Sequence, residues 1–144
     1  MRVRGGVNVL NIRVGTPADA ERLLAYERHI RESELVRALS QGRVLLAFHG
    51  ERFVGWLRYG LFWDEIPMMN LLFVLEGERG KGYGRALTAE WERRMAAGGF
   101  RRVMTSTQAD EEAQRFYRKL GYRDAGVLLL PEQAAELLMI RDLA

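Results

Sequence analysis

Between an apolar run, Met68 to Val74, and a stripe formed by Tyr83, Leu87, Trp91 and Met95 lies the stretch Arg79-Gly80-Lys81-Gly82-Tyr83-Gly84. Residues recurring every fourth position share one helix face, so the chain must leave a strand, turn sharply and enter a helix within a few residues. Glycine at alternate positions opens backbone conformations closed to other residues and lets the backbone approach a ligand closely. The first amides of a helix lack partners within it, and with Arg79, Lys81 and Arg85 around them they suit an anion such as a pyrophosphate. A Walker A loop is excluded, since it needs four residues between its glycines and a Lys followed by Ser or Thr. The dinucleotide-binding fingerprint fails too, because its third small residue would fall on Arg85 or Leu87. An isolated turn of this kind serves equally as plain turn chemistry, so its context decides.

That context is an alternation of strand and helix signals. Val7 to Val14 alternates apolar with polar residues, and Thr16 then supplies an N-cap with Pro17 at the first helical position. Ala20, Leu23 and Leu24 give the helix its apolar stripe, and Ser33 is read as the cap of a second short helix carrying Leu35, Val36 and Leu39 before Gly42. Arg43 to Phe48 and Phe53 to Trp63, rich in β-branched and aromatic residues, form a hairpin around His49 to Arg52. Met68 to Val74 reads as a strand buried on both faces. Gly98 and Gly99 end the helix that follows, Val103 to Thr107 is a strand, and Ala113, Phe116, Tyr117 and Leu120 mark another helix closed by Gly121. Tyr122 to Leu130 and Leu137 to Leu143 complete the chain as strands, with a helical turn over Ala134 to Met139 as the alternative. No repeat or linker divides the chain, so residues 1–144 are expected to form one domain.

Composition narrows the chemistry. Cysteine is absent, which removes disulfides, thiolate metal sites and a cysteine nucleophile. His29 and His49 lie twenty positions apart without a carboxylate cluster and read as surface residues, so no metal is expected. A net charge of +3 mildly favours an anionic ligand, whereas arginines scattered without a stripe argue against nucleic acid. The basic segment Met1 to Gly6 precedes no apolar signal core and no run reaches membrane-spanning length, so no membrane partner and a cytoplasmic location are expected.

Leu72-Phe73-Val74 followed by Arg79-Gly80-Lys81-Gly82-Tyr83-Gly84-Arg85-Ala86-Leu87, and then Ala113 with Phe116-Tyr117-Arg118-Lys119-Leu120-Gly121-Tyr122, resemble the two signature segments of the GCN5-related N-acetyltransferase (GNAT) superfamily. The resemblance covers nearly the whole chain. It implies a mixed α/β fold of the α+β type, a twisted sheet with helices on both faces, splayed between Met68 to Val74 and Val103 to Thr107 to admit the cofactor. It implies acetyl-CoA as co-substrate, with the backbone of Leu72, Phe73 and Val74 pairing with the pantetheine arm and the amides of Gly80 to Arg85 holding the pyrophosphate. Cofactor contacts are expected to include Asp110, Ala113 and Lys119.

Acyl transfer from a thioester needs a neutral amine, a donor for the developing oxyanion and a proton for the leaving thiolate. Tyr117 is the candidate acid and a backbone N–H, that of Val74, the candidate oxyanion donor. The family often places a Glu on its fourth strand, but here the stretch is Met68-Met69-Asn70-Leu71-Leu72, which leaves Asp64 and Glu65 just before it, with Glu65 as the named base. Asp110 stands where the family commonly has Asn, and helix capping near Glu111 is its simpler reading. Trp56, Tyr59, Phe62 and Trp63 with Asp64 and Glu65 would suit a cationic acceptor, though the aromatics serve a core equally well. The acceptor is expected to be a small-molecule or peptide amine, with a homodimer possible. The alternative function is a catalytically silent acyl-CoA-binding module.

Overall fold

The computed structural model describes residues 2–5 and 8–143, with side chains from Leu10 onward; Val7, which opens the first expected strand, lies outside them. Eight strands follow in chain order: β1 (Arg2–Gly5), β2 (Asn8–Val14), β3 (Val44–His49), β4 (Arg52–Phe62), β5 (Ile66–Val74), β6 (Arg102–Gln108), β7 (Arg123–Leu128) and β8 (Glu136–Asp142). The helices are α1 (Ala20–Leu24), α2 (Glu32–Ser40), α3 (Tyr83–Ala97) and α4 (Ala113–Lys119). Hydrogen-bonded strand order is β1-β2-β3-β4-β5-β6-β8-β7. The mixed α/β class expected from the sequence is therefore present. The chain divides into two compact units, Met1–Gly60 with Leu71–Trp91, and Leu61–Asn70 with Glu92–Ala144.

In the first unit, β1 to β4 pair antiparallel in sequence order. Alternation along the strands sends Val44, Leu46 and Trp56 to one face, where they bury against Ala20 and Leu23 of α1 and Leu35 and Leu39 of α2. The opposite face receives α3, whose Trp91 ring lies 5.8 Å from that of Tyr59. Thr16 and Pro17 start a 3-10 turn, Pro17–Asp19, that leads into α1, and the Thr16 amide donates to Asp19 Oδ2 at 2.9 Å. The second helix begins at Glu32 with Arg31 as its flanking residue, so Ser33 lies inside the first turn and does not cap it.

In the second unit, β6 and β7 flank β8 in antiparallel pairs, which makes strand of the Ala134 to Met139 segment from Glu136 onward. The parallel register of β5 with β6 covers Met68↔Met104 and Met69↔Thr105. Both strands continue beyond it, and Leu71 to Val74 are half-buried, not buried on both faces as their apolar run suggests. Tyr122 donates to Glu92 Oε2 at 2.8 Å and Arg141 to Glu92 Oε1 at 2.8 Å, so a buried carboxylate within α3 gathers two otherwise distant residues.

Candidate active site

The glycine-rich turn of the first unit has the conformation its composition predicts. Gly80 and Gly82 adopt φ of +78° and +85°, in the region that favours glycine, and a Cβ built on either would meet nothing within 4 Å. The backbone thus opens onto free space where α3 begins. The helical ladder at that end begins with the Ala86 amide donating to the Gly82 carbonyl at 3.0 Å, so the amides of Tyr83, Gly84 and Arg85 precede it. Arg85 is exposed, while Arg79 donates from Nε to the Val74 carbonyl at 3.2 Å and lies 5.9 Å from the centre of the Phe73 ring. Lys81 does not stand free over the turn, because its Nζ donates to Glu78 Oε2 at 3.2 Å.

Leu72, Phe73 and Val74 lead into this turn. Their strand is pressed against β4 at Gly55, where an added Cβ would lie 2.5 Å from the Phe73 carbonyl oxygen and 3.3 Å from Val74 Cα. The Phe73 ring packs 4.7 Å from Trp56, which is fully buried. Trp56 is accordingly a core residue that gives no exposed aromatic surface, and Tyr59 is half-buried.

In the second unit, Tyr117 is 7% exposed and meets Phe116 and Tyr122 edge-on at 5.2 and 5.6 Å between ring centres. Burial raises its phenol above the ordinary tyrosine value against the opposing effect of a hydrogen bond with Thr105, and the charge of Glu111 raises it further. The phenol therefore keeps its proton at neutral pH. Thr105 Oγ1 in turn donates to the Met69 carbonyl at 3.3 Å. Two residues along the same face of β6, Thr107 Oγ1 is buried with no partner among the described residues. An orphaned buried hydroxyl costs about 1–3 kcal/mol, which a bound polar group would recover.

Asp110 is exposed and does not cap α4, which starts at Ala113 with Glu112 before it. Ala113 is half-buried and Lys119 exposed. Glu65 lies exposed at the end of the β4–β5 hairpin, whose turn is closed by its amide on the Phe62 carbonyl at 3.0 Å. The two central residues, Trp63 and Asp64, have φ of 55° and 60°, and Trp63 is 75% exposed with its ring 4.7 Å from Phe62. Among the described residues no group of three or more His, Cys, Asp or Glu is placed to hold a metal ion.

Several partners were not foreseen. His49 is not a plain surface residue, since its Nδ1 lies 3.0 Å from both Arg52 Nη2 and the Tyr83 hydroxyl. Arg52 and Glu78, 26 positions apart, form a forked ion pair beside the glycine-rich turn. No local pattern signals a pairing over that separation. Within the first unit, the open space before Gly80 and Gly82 fits an anionic group held by backbone amides.

Comparisons with known proteins identify the family. The family model described as "Acetyltransferase (GNAT) family" matches residues 13–122. A mycothiol acetyltransferase of Corynebacterium efficiens is 35% identical over 80 residues, covering 55% of this chain. The match spans only 27% of that protein's length. Ard1 from Thermoplasma volcanium superposes with a TM-score of 0.78 at 20% identity, over 92% of this chain and 97% of that one. The PaiA N-acetyltransferase of Thermoplasma acidophilum, in complex with coenzyme A, gives 0.76 at 14% identity over 92% and 98% of the two chains. At these identities the structural likenesses establish the fold.

Proposed function

The chain belongs to the acetyltransferase (GNAT) family, and from that premise we propose that it transfers an acetyl group from acetyl-CoA to a primary amine. The observation that supports this best is the turn in which Gly80 and Gly82, both left-handed, face open space at the start of α3. On this reading the amides of Gly80 to Arg85 hold the cofactor pyrophosphate and Arg79 and Arg85 add charge. The backbone of Leu72 to Val74 pairs with the pantetheine arm, and Asp110, Ala113 and Lys119 add further contacts. The cofactor supplies an activated thioester.

The remaining steps fall to the protein. Glu65 takes a proton from the acceptor ammonium, directly or through water, and the Val74 amide meets the charge that develops on the acetyl oxygen. As the amine nitrogen bonds to the acetyl carbon, the carbon–sulfur bond would break, the Tyr117 phenol would give its proton to the departing thiolate, and the surplus proton on the new amide nitrogen would return to the phenolate. Burial keeps the Tyr117 phenol protonated, and Thr105 positions it. The acceptor is a small-molecule or peptide amine. Residues 1–144 act as a single cytoplasmic domain, with homodimerisation open to test by sedimentation.

Thermal melting with acetyl-CoA or CoA, against NADH and ATP, tests the premise. Ligand at about a hundred times its Kd adds roughly 2.7 kcal/mol, a rise of several degrees. CoA release is then followed over an amine panel, where Tyr117→Phe should lower kcat by about 100-fold or more while the acetyl-CoA shift persists. A protein that melts identically with and without CoA overturns the reading.

A further inference from the structure

Glu78 sits in the short 3-10 turn, Glu76–Glu78, that precedes the glycines, with its side chain 13% exposed. Arg52 grips both of its oxygens, Nε to Oε1 at 2.7 Å and Nη2 to Oε2 at 3.2 Å, and Lys81 adds a contact to Oε2 at 3.2 Å. The same guanidinium lies 3.0 Å from His49 Nδ1, which the Tyr83 hydroxyl also reaches at 3.0 Å. Both ends of the turn, Glu78 before the glycines and Tyr83 after them, are thus tied to the β3–β4 turn. Between those ties Gly80 and Gly82 have no side chains and, of all residues, lose the most freedom on being ordered. Amides held in place before a ligand arrives bind it more tightly than amides that must be ordered by it.

We propose that Glu78, gripped by Arg52, is the positioning residue of the glycine-rich turn, a carboxylate whose presence strengthens the binding of an anion. This rests on the reading of that turn as the CoA pyrophosphate site. Lys81 serves the anchor by neutralising Glu78, and the phosphates are left to the amides, Arg79 and Arg85.

The sign of one substitution separates this from simple electrostatics. A carboxylate beside a pyrophosphate repels it, so on charge alone Glu78→Gln should tighten CoA binding. As an anchor, its loss should weaken CoA binding by about five- to tenfold, and Arg52→Gln should do the same. The double substitution should cost no more than either single one, because both remove one contact. Glu76→Gln, which neutralises an exposed carboxylate of the same short turn, is the charge control and should leave the Kd unchanged or slightly lower. Titration calorimetry with CoA reads these values. Hydrogen exchange of the Gly80 to Tyr83 amides in the ligand-free protein is read alongside and should speed up in Glu78→Gln but not in Glu76→Gln. If the native protein fails to bind CoA, the functional reading falls while the exchange rates still decide the anchor. Unchanged exchange, or CoA binding as tight or tighter in Glu78→Gln, overturns the proposal.

Discussion

Gly55 is the position where β4 and β5 leave no room for a side chain. A Cβ there would stand 2.5 Å from the Phe73 carbonyl oxygen, about 0.8 Å inside the ~3.3 Å at which carbon and carbonyl oxygen ordinarily meet. The obstructing atom is backbone, so no rotamer change relieves it, and the 3.3 Å approach to Val74 Cα and 3.5 Å to Leu87 Cδ1 close the other directions. The two strands must part or β4 must shift within its ladder. Overpacking of this kind costs about 1–3 kcal/mol, and a clash with backbone belongs at the upper end. For a domain of this size Gly55→Ala should lower Tm by roughly 6–10 °C. Urea unfolding should show the same loss in free energy without a change in m. Because the displaced residues are Phe73 and Val74, CoA affinity should fall as well. Gly77→Ala is the matched control, since its Cβ would meet nothing within 4 Å and its φ is not positive. A Gly55→Ala protein within 0.5 kcal/mol of the native one would refute this reasoning, because the strands could then separate at no cost.

Two further perturbations have opposite signs. Asp19 accepts from Arg13 at 2.7 and 2.9 Å and from the Thr16 amide at 2.9 Å. The Arg13 hydrogen bonds hold its carboxyl below the usual range despite burial. A depressed folded value stabilises above the ordinary aspartate pKa and is lost as pH falls through the folded one, so Asp19→Asn should cost about 1–2 kcal/mol at pH 7 in urea unfolding. That gap should close toward pH 3, and a gap independent of pH would remove the ionic explanation. Trp63→Asn with Asp64→Gly installs the pair that left-handed hairpin turns prefer, and relief of two positive-φ positions should raise Tm by about 2–5 °C. A lower Tm would mean that the Trp63–Phe62 contact outweighs the backbone strain.

The glycine-rich turn, the hairpin around His49 to Arg52 and the stripe of α3 were legible because each depends on neighbours a few residues away. Gly80, Gly82, Gly99 and Gly121 all take the positive φ that such turns require. The strand Arg2–Gly5 was missed because two of its four residues are arginine and one is glycine, which leaves no apolar alternation to read. Ser33 and Asp110 carry cap-forming side chains, yet α2 and α4 begin at Glu32 and Ala113, so cap chemistry marked the neighbourhood and not the boundary. At the candidate site, Tyr117 and the loop could be named from their motifs, but Thr105, Thr107 and the Arg52–Glu78 fork could not. Each of these depends on register between strands or on contacts across 26 or more positions, and local pattern carries neither.

Strand β5 is divided between the two compact units, which gives the chain an order in time. A nascent chain has every residue of the first unit once Trp91 has left the ribosome, and that unit can close while the rest is still being made. Leu61 to Asn70 are synthesised before then, but Met68 and Met69 find their partners Met104 and Thr105 only some thirty-five residues later. The edge at Met68 and Met69 must therefore wait unpaired, and during this interval a growing chain is open to mispairing along it.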